Sequence, residues 1–553
     1  MATSPQRAYR AACPNCGAPV EFASAASASA VCSFCRSTLV RDGDALRRIG
    51  ISAELFDDHS PLQLGVRDER QGVDFTLVGR LQYGYYTGPQ ATPSAMPPPR
   101  GAGATGEAGS SLGGTWNEWH ALFDNGRSAW LSEDNGAYVI AFDAPLPADA
   151  PAIDGLRAGQ RALADGRAWD VASVTRAKLI AAQGELPTPP QLQGEFTVVD
   201  LRNSAGEVAT LDGSDPSRPH WSVGRAVALS ELALSGLKDA SEKTLGSRAV
   251  ECPSCGTALE AKLSTTQSLT CHNCSAVVDI SAGVGGDLKH YAQNNAGEHG
   301  AEPQLPLGTA SKDSLTLGSA PAAWQVVGYQ ERCDIPEDAE EETTFWREYL
   351  LFNREQGFAF LVDSNDGWSW VKPLTGAPKV RGDKASWQGV EYQKRWSYAA
   401  KVTWVQGEFY WRVQRDERAH VMDFEGQGKA RDKRLSREQA GQEVTWSAGE
   451  TLSATHVADS FGIAQGARAA LQRDATPLAG SQAGAAKGLI IFVAVVVLMI
   501  ILATCSSDDC DRVRDTFGAA STEYQQCKRS SGSGSRVGSG GSYGGYSSGG
   551  GHK

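Results

Sequence analysis

Residues 346–371 read WREYLLFNREQGFAFLVDSNDGWSWV, a run dominated by aromatic and aliphatic side chains. Two β-prone segments, 346–352 and 357–362, are each followed by a cluster that contains asparagine and glycine. Short β-prone segments that end in such turn residues are typical of antiparallel hairpins. The run therefore predicts a mainly β domain, and it leaves a β-sandwich and a small barrel open as alternatives.

A cysteine motif stands upstream of this run and occurs a second time close to the N-terminus. Both copies have the form C-P-x-C-G, then fourteen residues, then C-x-x-C. A C-x-x-C pair aims two sulfurs at one metal ion, and four thiolates close a tetrahedral shell around Zn²⁺. The alternative, a redox dithiol, needs a single pair in a βαβ setting. We predict two structural Zn²⁺ sites, with ligands Cys13, Cys16, Cys32 and Cys35 in the first and Cys252, Cys255, Cys271 and Cys274 in the second.

The β-prone sequence also occurs twice and in the same order, which indicates a tandem duplication. Four pairs of segments carry this comparison: 75–79 with 324–328, Glu118-Trp119 with Glu348-Tyr349, Gly194-Glu195-Phe196 with Gly407-Glu408-Phe409, and Trp221-Ser222 with Trp446-Ser447. The predicted domains are zinc ribbon 1 (10–45), a first β-rich domain (60–238) with a flexible Pro/Gly/Ala/Ser-rich insertion (87–114), zinc ribbon 2 (249–280), a linker (281–306) and a second β-rich domain (307–463).

The C-terminal part of the chain differs in composition from the rest. Residues 488–503 are wholly apolar, and as a helix they would extend roughly 24 Å, slightly less than the thickness of a membrane core. We predict one transmembrane helix over 488–504. The tail, 505–553, contains three cysteines and then becomes rich in Gly, Ser and Tyr, so we expect it to be disordered.

Charge and histidine placement limit the function classes. The chain has 553 residues, 21% of them charged, and a net charge of −12, which argues against a broad nucleic-acid-binding surface. The nine histidines are scattered, and none stands at motif spacing from a nucleophile or a second ligand. Glu118, Glu348 and Glu408 are carboxylates within the β-rich repeats, but a recurring glutamate also fits a surface or backbone-bonding role. We assign no catalytic and no cofactor-binding residue.

The second half resembles the bacterial family called domain of unknown function 4178. The segments that carry the resemblance are 346–352, 357–362, 407–409 and 443–447, and the first half looks like a diverged copy of the same domain. The family has no known activity to carry over. By resemblance, its members tend to be encoded near spermidine-synthase-like and small membrane proteins, in settings linked to envelope stress.

These observations favour a membrane-anchored binding or scaffold protein with structural zinc and a protein partner. We expect it to be a single-pass protein of the bacterial inner membrane, with its N-terminal bulk in the cytoplasm and its tail in the periplasm or outside the cell. This orientation follows from the basic residues before the apolar run and from the preference of zinc thiolates for a reducing compartment. Two alternatives stay open: an enzyme of unknown reaction near polyamine metabolism, and a zinc-ribbon nucleic-acid binder.

Overall fold

The computed structural model of the protein describes residues 9–472. Within that range the description leaves out residues 23–28, 43–44, 52–59, 69–72, 88–110, 135–136, 191–193, 230, 239–247, 264–265, 281–287, 289, 294–302, 313–316, 318–321, 337–341, 354–355 and 414–416. The described chain is mainly β, as predicted, and it resolves the choice between sandwich and barrel. Each β-rich repeat closes into an antiparallel barrel of eight strands.

Ribbon 1 and the first barrel (barrel 1) account for strands β1 to β16. The ribbon contains β1 (Tyr9–Ala12), β2 (Pro19–Phe22), β3 (Ser29–Val31), β4 (Ser37–Asp42) and β5 (Ala45–Ile51). The short strands β6 (Arg67–Asp68), β11 (Arg161–Ala164) and β16 (Leu234–Ser235) flank the barrel. The barrel strands are β7 (Phe75–Thr87), β8 (Ser111–Phe123), β9 (Ser128–Asp134), β10 (Ala137–Ala144), β12 (Arg167–Leu186), β13 (Phe196–Arg202), β14 (Glu207–Asp212) and β15 (His220–Val227). They pair around the ring in the order β7-β8-β9-β10-β15-β14-β13-β12, and β12 closes the ring on β7.

Ribbon 2 and the second barrel (barrel 2) repeat this plan. The ribbon contains β17 (Arg248–Glu251), β18 (Ala258–Ala261), β19 (Ser268–Thr270), β20 (Val277–Asp279) and β21 (His290–Tyr291). The barrel strands are β22 (Gln325–Ile335), β23 (Phe345–Asn353), β24 (Gly357–Ser364), β25 (Gly367–Leu374), β28 (Val390–Phe409), β29 (Arg418–Gly426), β30 (Lys433–Ala440) and β31 (Glu443–Leu452), and β26 (Lys379–Arg381) and β27 (Lys384–Trp387) form a side hairpin. The ring order is β22-β23-β24-β25-β31-β30-β29-β28, and β28 closes it on β22.

The alternation of side chains divides each barrel wall into a lumen face and an outer face. On β23, Trp346 and Glu348 lie on one face, and Tyr349 lies on the other. Arg332 of β22 bonds Glu438 of β30 although β28 and β29 lie between these two strands in the ring. Only side chains that point into the lumen can meet across two strands, so the face of Trp346 and Glu348 is the lumen face.

The outer face of barrel 2 is also covered, which explains why β24 is buried on both sides. A helix, α1 (Ala454–Ser460), and a following 3₁₀ segment (Gln465–Leu471) pack there, together with Leu305 and Leu317. The Trp368 indole nitrogen donates to the Leu471 carbonyl at 2.8 Å. Leu305 belongs to the expected linker, 281–306, as do the strand residues of β21, so the described part of that segment is packed against folded domains.

Each barrel has a pair of glycines at its seam, the place where its longest strand closes the ring, and these pairs give the true alignment of the repeats. Gly407 of β28 pairs with Gly328 of β22, and Gly184 of β12 pairs with Gly79 of β7. The structural counterpart of 407–409 is therefore 184–186, whereas the sequence comparison paired it with 194–196. That comparison was wrong because a three-residue match carries little information. The match of Trp221-Ser222 with Trp446-Ser447 is correct in position, since both segments lie on the last barrel strand.

The two barrels contact each other through backbone pairing and through several hydrogen bonds. Ser173 of β12 pairs with Glu443 of β31, and the Val174 amide donates to the Gln442 carbonyl at 3.1 Å. The two copies of the domain therefore share a backbone contact in addition to their covalent connection.

The predictions about the membrane are corrected by the helix content. The α-helix α1 has seven residues, or about 10 Å, whereas a membrane span needs about 20 residues. Within the described part of the chain, no helix has the length and apolar character to cross a membrane. The predicted fold class with a transmembrane helix, the single-pass topology and the inner-membrane location are corrected accordingly. The segments 488–504 and 505–553, like most of the insertion 87–114, lie outside the described residues.

Candidate metal centres

The eight predicted cysteines come together as two separate groups of four. In ribbon 1 the Sγ atoms of Cys13 and Cys35 are 3.6 Å apart, and those of Cys16 and Cys32 are 3.7 Å apart. Ribbon 2 has the same separations, 3.6 Å for Cys252 with Cys274 and 3.7 Å for Cys255 with Cys271. Four sulfurs about 2.3 Å from a tetrahedral Zn²⁺ would stand roughly 3.8 Å from each other, whereas a disulfide needs about 2.05 Å. Each group can therefore hold one metal ion, and its four thiolates would fill the coordination shell.

All four C-x-x-C knuckles have the same type of backbone turn. The amide of the residue after each second cysteine donates to the carbonyl of the first cysteine, as Gly17 does to Cys13 and Gly256 does to Cys252, both at 2.8 Å. That residue adopts a left-handed conformation, with φ of 76° at Gly17 and 74° at Gly256. Glycine reaches this region without steric cost, which is the physical reason for the C-P-x-C-G pattern.

One sulfur in each ribbon has polar neighbours that favour the thiolate. The Ser37 hydroxyl lies 3.2 Å from the Cys35 Sγ, and the Thr257 hydroxyl lies 3.2 Å from the Cys255 Sγ. Hydrogen bonding from Ser37, and then from the Asn15 side chain, lowers the pKa of Cys35 to about 5. Hydrogen bonding from Thr257 likewise lowers the pKa of Cys255 to about 5. The thiolate is the form that ligates a metal, so both ribbons hold a ready donor.

Each ribbon is joined to its barrel through backbone pairing. Strand β3 pairs with the C-terminal end of β12, and β19 pairs with the C-terminal end of β28. In the second unit the Glu408 carboxylate accepts hydrogen bonds from the amides of Lys262 and Leu263 at 3.0 Å and from the Thr266 hydroxyl at 2.7 Å. The segment between β18 and β19 is thus fastened to a barrel strand. Glu408 is one of the repeat glutamates noted from the sequence, but its partners lie 142 to 146 residues away in the chain.

A buried charge cluster fills the lumen of barrel 2. Arg332 is 1% exposed and donates to both carboxylate oxygens of Glu438, which is 4% exposed, at 2.6 and 3.0 Å. It also lies 3.4 Å from Glu348, which is 0% exposed and accepts from the Gln330 amide and the Trp346 indole. Burial alone would lower the pKa of Arg332, but the two carboxylates raise it above its ordinary value. The arginine therefore stays charged inside the barrel.

The sequence alone does not reveal this cluster as a unit. Glu348 stood out because it recurs as Glu118, but nothing local indicates that Arg332 and Glu438, over a hundred residues apart, face the same lumen. The only signal was a charged residue at an inward position of a β-prone run. No described nucleophile with a neighbouring base accompanies the cluster, so the geometry offers ion pairing and hydrogen bonding.

Comparisons with known proteins identify the barrels. The profile of the family described as "Domain of unknown function (DUF4178)" matches residues 63–229 and 320–454, which contain the two barrels and together exceed half of the chain. The cysteine ribbons lie outside both matches. No curated protein matches the sequence.

Among solved structures, the comparison matches a protein of unknown function from the DUF3598 family of Nostoc punctiforme. It is 8% identical, and the alignment covers 70% of this chain and 96% of that one. Its TM-score is 0.12, too low to carry an argument about the fold. The two family matches, which fall on two barrels of identical strand order, establish that the chain belongs to the DUF4178 family and carries two copies of its domain.

Proposed function

We propose that this protein is a non-enzymatic binding protein in which each Cys₄ group holds a structural Zn²⁺ ion that braces one barrel. The observation that carries the proposal is the coupling of each four-thiolate group to its barrel through β3 or β19. Four protein ligands leave no position for a substrate, which distinguishes structural from catalytic zinc. The ion would fix the ribbon, and the ribbon would fix the end of the barrel's longest strand.

Metal analysis of the purified full-length chain tests the zinc assignment. We expect two zinc ions per chain, and one in the Cys252→Ser variant, because three thiolates bind far more weakly than four. The matched control is Cys333→Ser, which removes a buried cysteine of barrel 2 that belongs to neither group. Two zinc ions in Cys252→Ser, or a metal other than zinc in the wild type, would contradict the assignment.

Crosslinking in the native bacterium, followed by mass spectrometry, tests the binding role. A reproducible protein partner lost in Cys13→Ser or Cys252→Ser supports a scaffold that depends on the ribbons. Turnover of a metabolite by the purified chain would instead support the alternative of an enzyme. A link with envelope stress or polyamine metabolism stays a prediction from the family resemblance.

A second candidate function, binding of single-stranded nucleic acid by ribbon 1, is supported by one feature. Phe34 stands between Cys32 and Cys35 and is 72% exposed, while its counterpart in ribbon 2 is Asn273. Exposed Arg36 follows in the same knuckle. An exposed ring beside arginine can stack on a base and contact a phosphate. Fluorescence anisotropy with labelled oligonucleotides should give at least tenfold weaker binding for Phe34→Ala, and no binding by the wild type would eliminate this candidate.

A further inference from the structure

Strand β28 runs from the wall of barrel 2 to ribbon 2, and one stretch of its edge has no neighbouring strand. On the side away from β22, β28 pairs with β29 as far as Lys401 and with β19 at Glu408 and Phe409. No described strand pairs with that edge over 402–407. The backbone groups that point there need other partners, because an unpaired amide or carbonyl is costly when it is shielded from water.

The side chain of Gln293 fills this gap. Its Oε1 atom accepts from the Val405 amide at 2.8 Å, and its Nε2 atom donates to the Val405 carbonyl at 2.9 Å. The carboxamide thus pairs with β28 as a single strand residue would. Gln293 lies two residues after Tyr291, the last residue of β21, within the segment that the sequence indicated as a linker.

The same Nε2 atom also reaches the second metal centre. It donates to the Ser275 carbonyl at 2.8 Å. Ser275 directly follows Cys274, has a φ of 58° and donates its own amide to the Cys271 carbonyl at 2.9 Å. The direction of the Ser275 carbonyl therefore depends on the knuckle turn, and a metal ion bound by both knuckle sulfurs would hold that turn. Gln293 joins the turn to the barrel wall through three hydrogen bonds.

Val405 leads in turn to the buried charge cluster of barrel 2. Its amide and carbonyl both bond Gln293, so its pair with Gln330 of β22 is of the antiparallel type that shares no backbone hydrogen bond and brings the side chains closest. The Gln330 side-chain amide donates to Glu348 at 2.6 Å, and Glu348 lies 3.4 Å from Arg332. A line of contacts therefore runs from the ribbon 2 knuckle to the charge cluster.

A second set of contacts connects the same two places. Val277 of ribbon 2 is 2% exposed and belongs to one apolar cluster with Val405 and Trp346. The Trp346 indole donates to Glu348 at 2.7 Å. Packed side chains and hydrogen bonds of this kind can carry energetic coupling between separate sites.

Barrel 1 lacks the polar end of this path. The strand pairs align the two barrels position by position, Leu81–Glu118 with Gln330–Glu348 and Tyr83–Trp116 with Arg332–Trp346. Leucine has no donor for a carboxylate, and tyrosine has no positive charge to hold one. Among the residues that the structure describes, the path from a knuckle to a buried ion-pair cluster therefore exists in barrel 2 alone.

We propose that Gln293 is a positioning residue that couples the metal occupancy of ribbon 2 to the charge cluster in the lumen of barrel 2. With the ion bound, the knuckle holds Gln293 against β28, and β28 holds Gln330 beside Glu348. Loss of the ion frees the Ser275 turn, so the 402–407 edge and the cluster lose this support. Because coupling is reciprocal, the same contacts help to retain the ion. The inference rests on the proposed structural role of zinc and extends that role from the ribbon to the lumen.

Hydrogen–deuterium exchange of the full-length chain, read by mass spectrometry, tests this coupling. Gln293→Met keeps the length of the side chain and removes all three hydrogen bonds. We expect roughly fivefold or faster exchange of peptides that cover 402–407, and a similar acceleration of zinc transfer from the second site to a chelator. Gln304→Met is the matched control, since the Gln304 side chain donates to the Ala470 carbonyl, which is not part of ribbon 2.

The metal ion and the Gln293 side chain should not act independently. Cys252→Ser should accelerate exchange over 402–407 and 328–333 when Gln293 is present, and no further over 402–407 in the double variant with Gln293→Met. Cys13→Ser, which removes a ligand of the first group, should leave both peptides unchanged. Additive effects in the double variant, or peptides that stay protected in Cys252→Ser, would overturn the inference.

The zinc content separates this inference from the proposed function. If Gln293→Met exchanges like the wild type while two zinc ions stay bound, the coupling fails and the structural zinc assignment stands. A wild-type chain that binds no zinc would overturn the proposed function itself.

Discussion

Arg332 and Glu438 form a two-point ion pair inside barrel 2, with Nη2–Oε1 and Nη1–Oε2 distances of 2.6 and 3.0 Å. The residues come from β22 and β30, which have β28 and β29 between them in the ring. The pair therefore crosses the lumen and ties together two walls that share no backbone hydrogen bond. Glu348 contacts the same guanidinium from a third strand, β23.

Removal of both partners should cost less than the sum of the two single removals. Arg332→Met and Glu438→Leu should each lower the free energy of unfolding by about 3–5 kcal/mol, because Arg332→Met leaves two buried carboxylates without their cation and Glu438→Leu leaves Arg332 with Glu348 alone. The double variant should lose clearly less than the sum of the two. Urea unfolding of the full-length chain measures these values, and additive losses would show that the two side chains are not coupled.

Stability should depend on pH through Glu348. Burial, opposed by Arg332 and reinforced by Glu438, raises its pKa above the ordinary 4.5. A group whose pKa is higher in the folded state stabilises the fold below its unfolded pKa, and this stabilisation is lost as pH rises through the folded pKa. Glu348→Gln does not titrate, so its stability relative to the wild type should rise from pH 4.5 upward. If the free energies of unfolding, measured in urea at each pH, changed with pH in the same way for both proteins, this assignment would be contradicted.

Glu408 should control the attachment of ribbon 2. Glu408→Ala removes an acceptor of two amide and one hydroxyl hydrogen bonds, and we expect a loss of about 3 kcal/mol and faster zinc release from the second site. Zinc transfer to a chromogenic chelator measures the release rate. Glu195→Ala is the matched control, since Glu195 forms an ion pair with Arg176 whose side chain is mostly exposed. Equal release rates in both variants would mean that Glu408 does not hold the ribbon.

The seam of barrel 2 should not tolerate a side chain at Gly407. Its φ is 88°, and a Cβ would come within 2.4 Å of the Val327 carbonyl oxygen. Gly407→Ala should therefore destabilise the protein by roughly 2 kcal/mol or more, because the left-handed conformation and the close approach both disfavour alanine. Gly466→Ala, which meets no atom within 4 Å, should be close to neutral in the same thermal unfolding assay. If Gly407→Ala left the thermal stability unchanged, β22 and β28 would have to move apart enough to accommodate a methyl group.

The sequence by itself determined the features that depend on local spacing. One C-x-x-C pair fourteen residues beyond a C-x-x-C-G knuckle predicts a four-sulfur group, because a single hairpin brings the two pairs together. Short β-prone runs ending in turn residues predict antiparallel strands, and the repetition of both patterns predicts a duplicated chain. The apolar run 488–503 led to a membrane prediction that the described helices do not support.

Only the tertiary structure decided the closure of the barrels and the content of their lumens. Pairing of β28 with β22 depends on long-range contacts, and a tripeptide match could not tell Gly184 from Gly194 as the seam glycine. Likewise, no local pattern places Arg332, Glu348 and Glu438 together, since each comes from a different strand. Their shared environment exists because ring closure turns the alternate side chains of all eight strands toward one axis, and this closure also gives Tyr83 the position that Arg332 takes in the other copy.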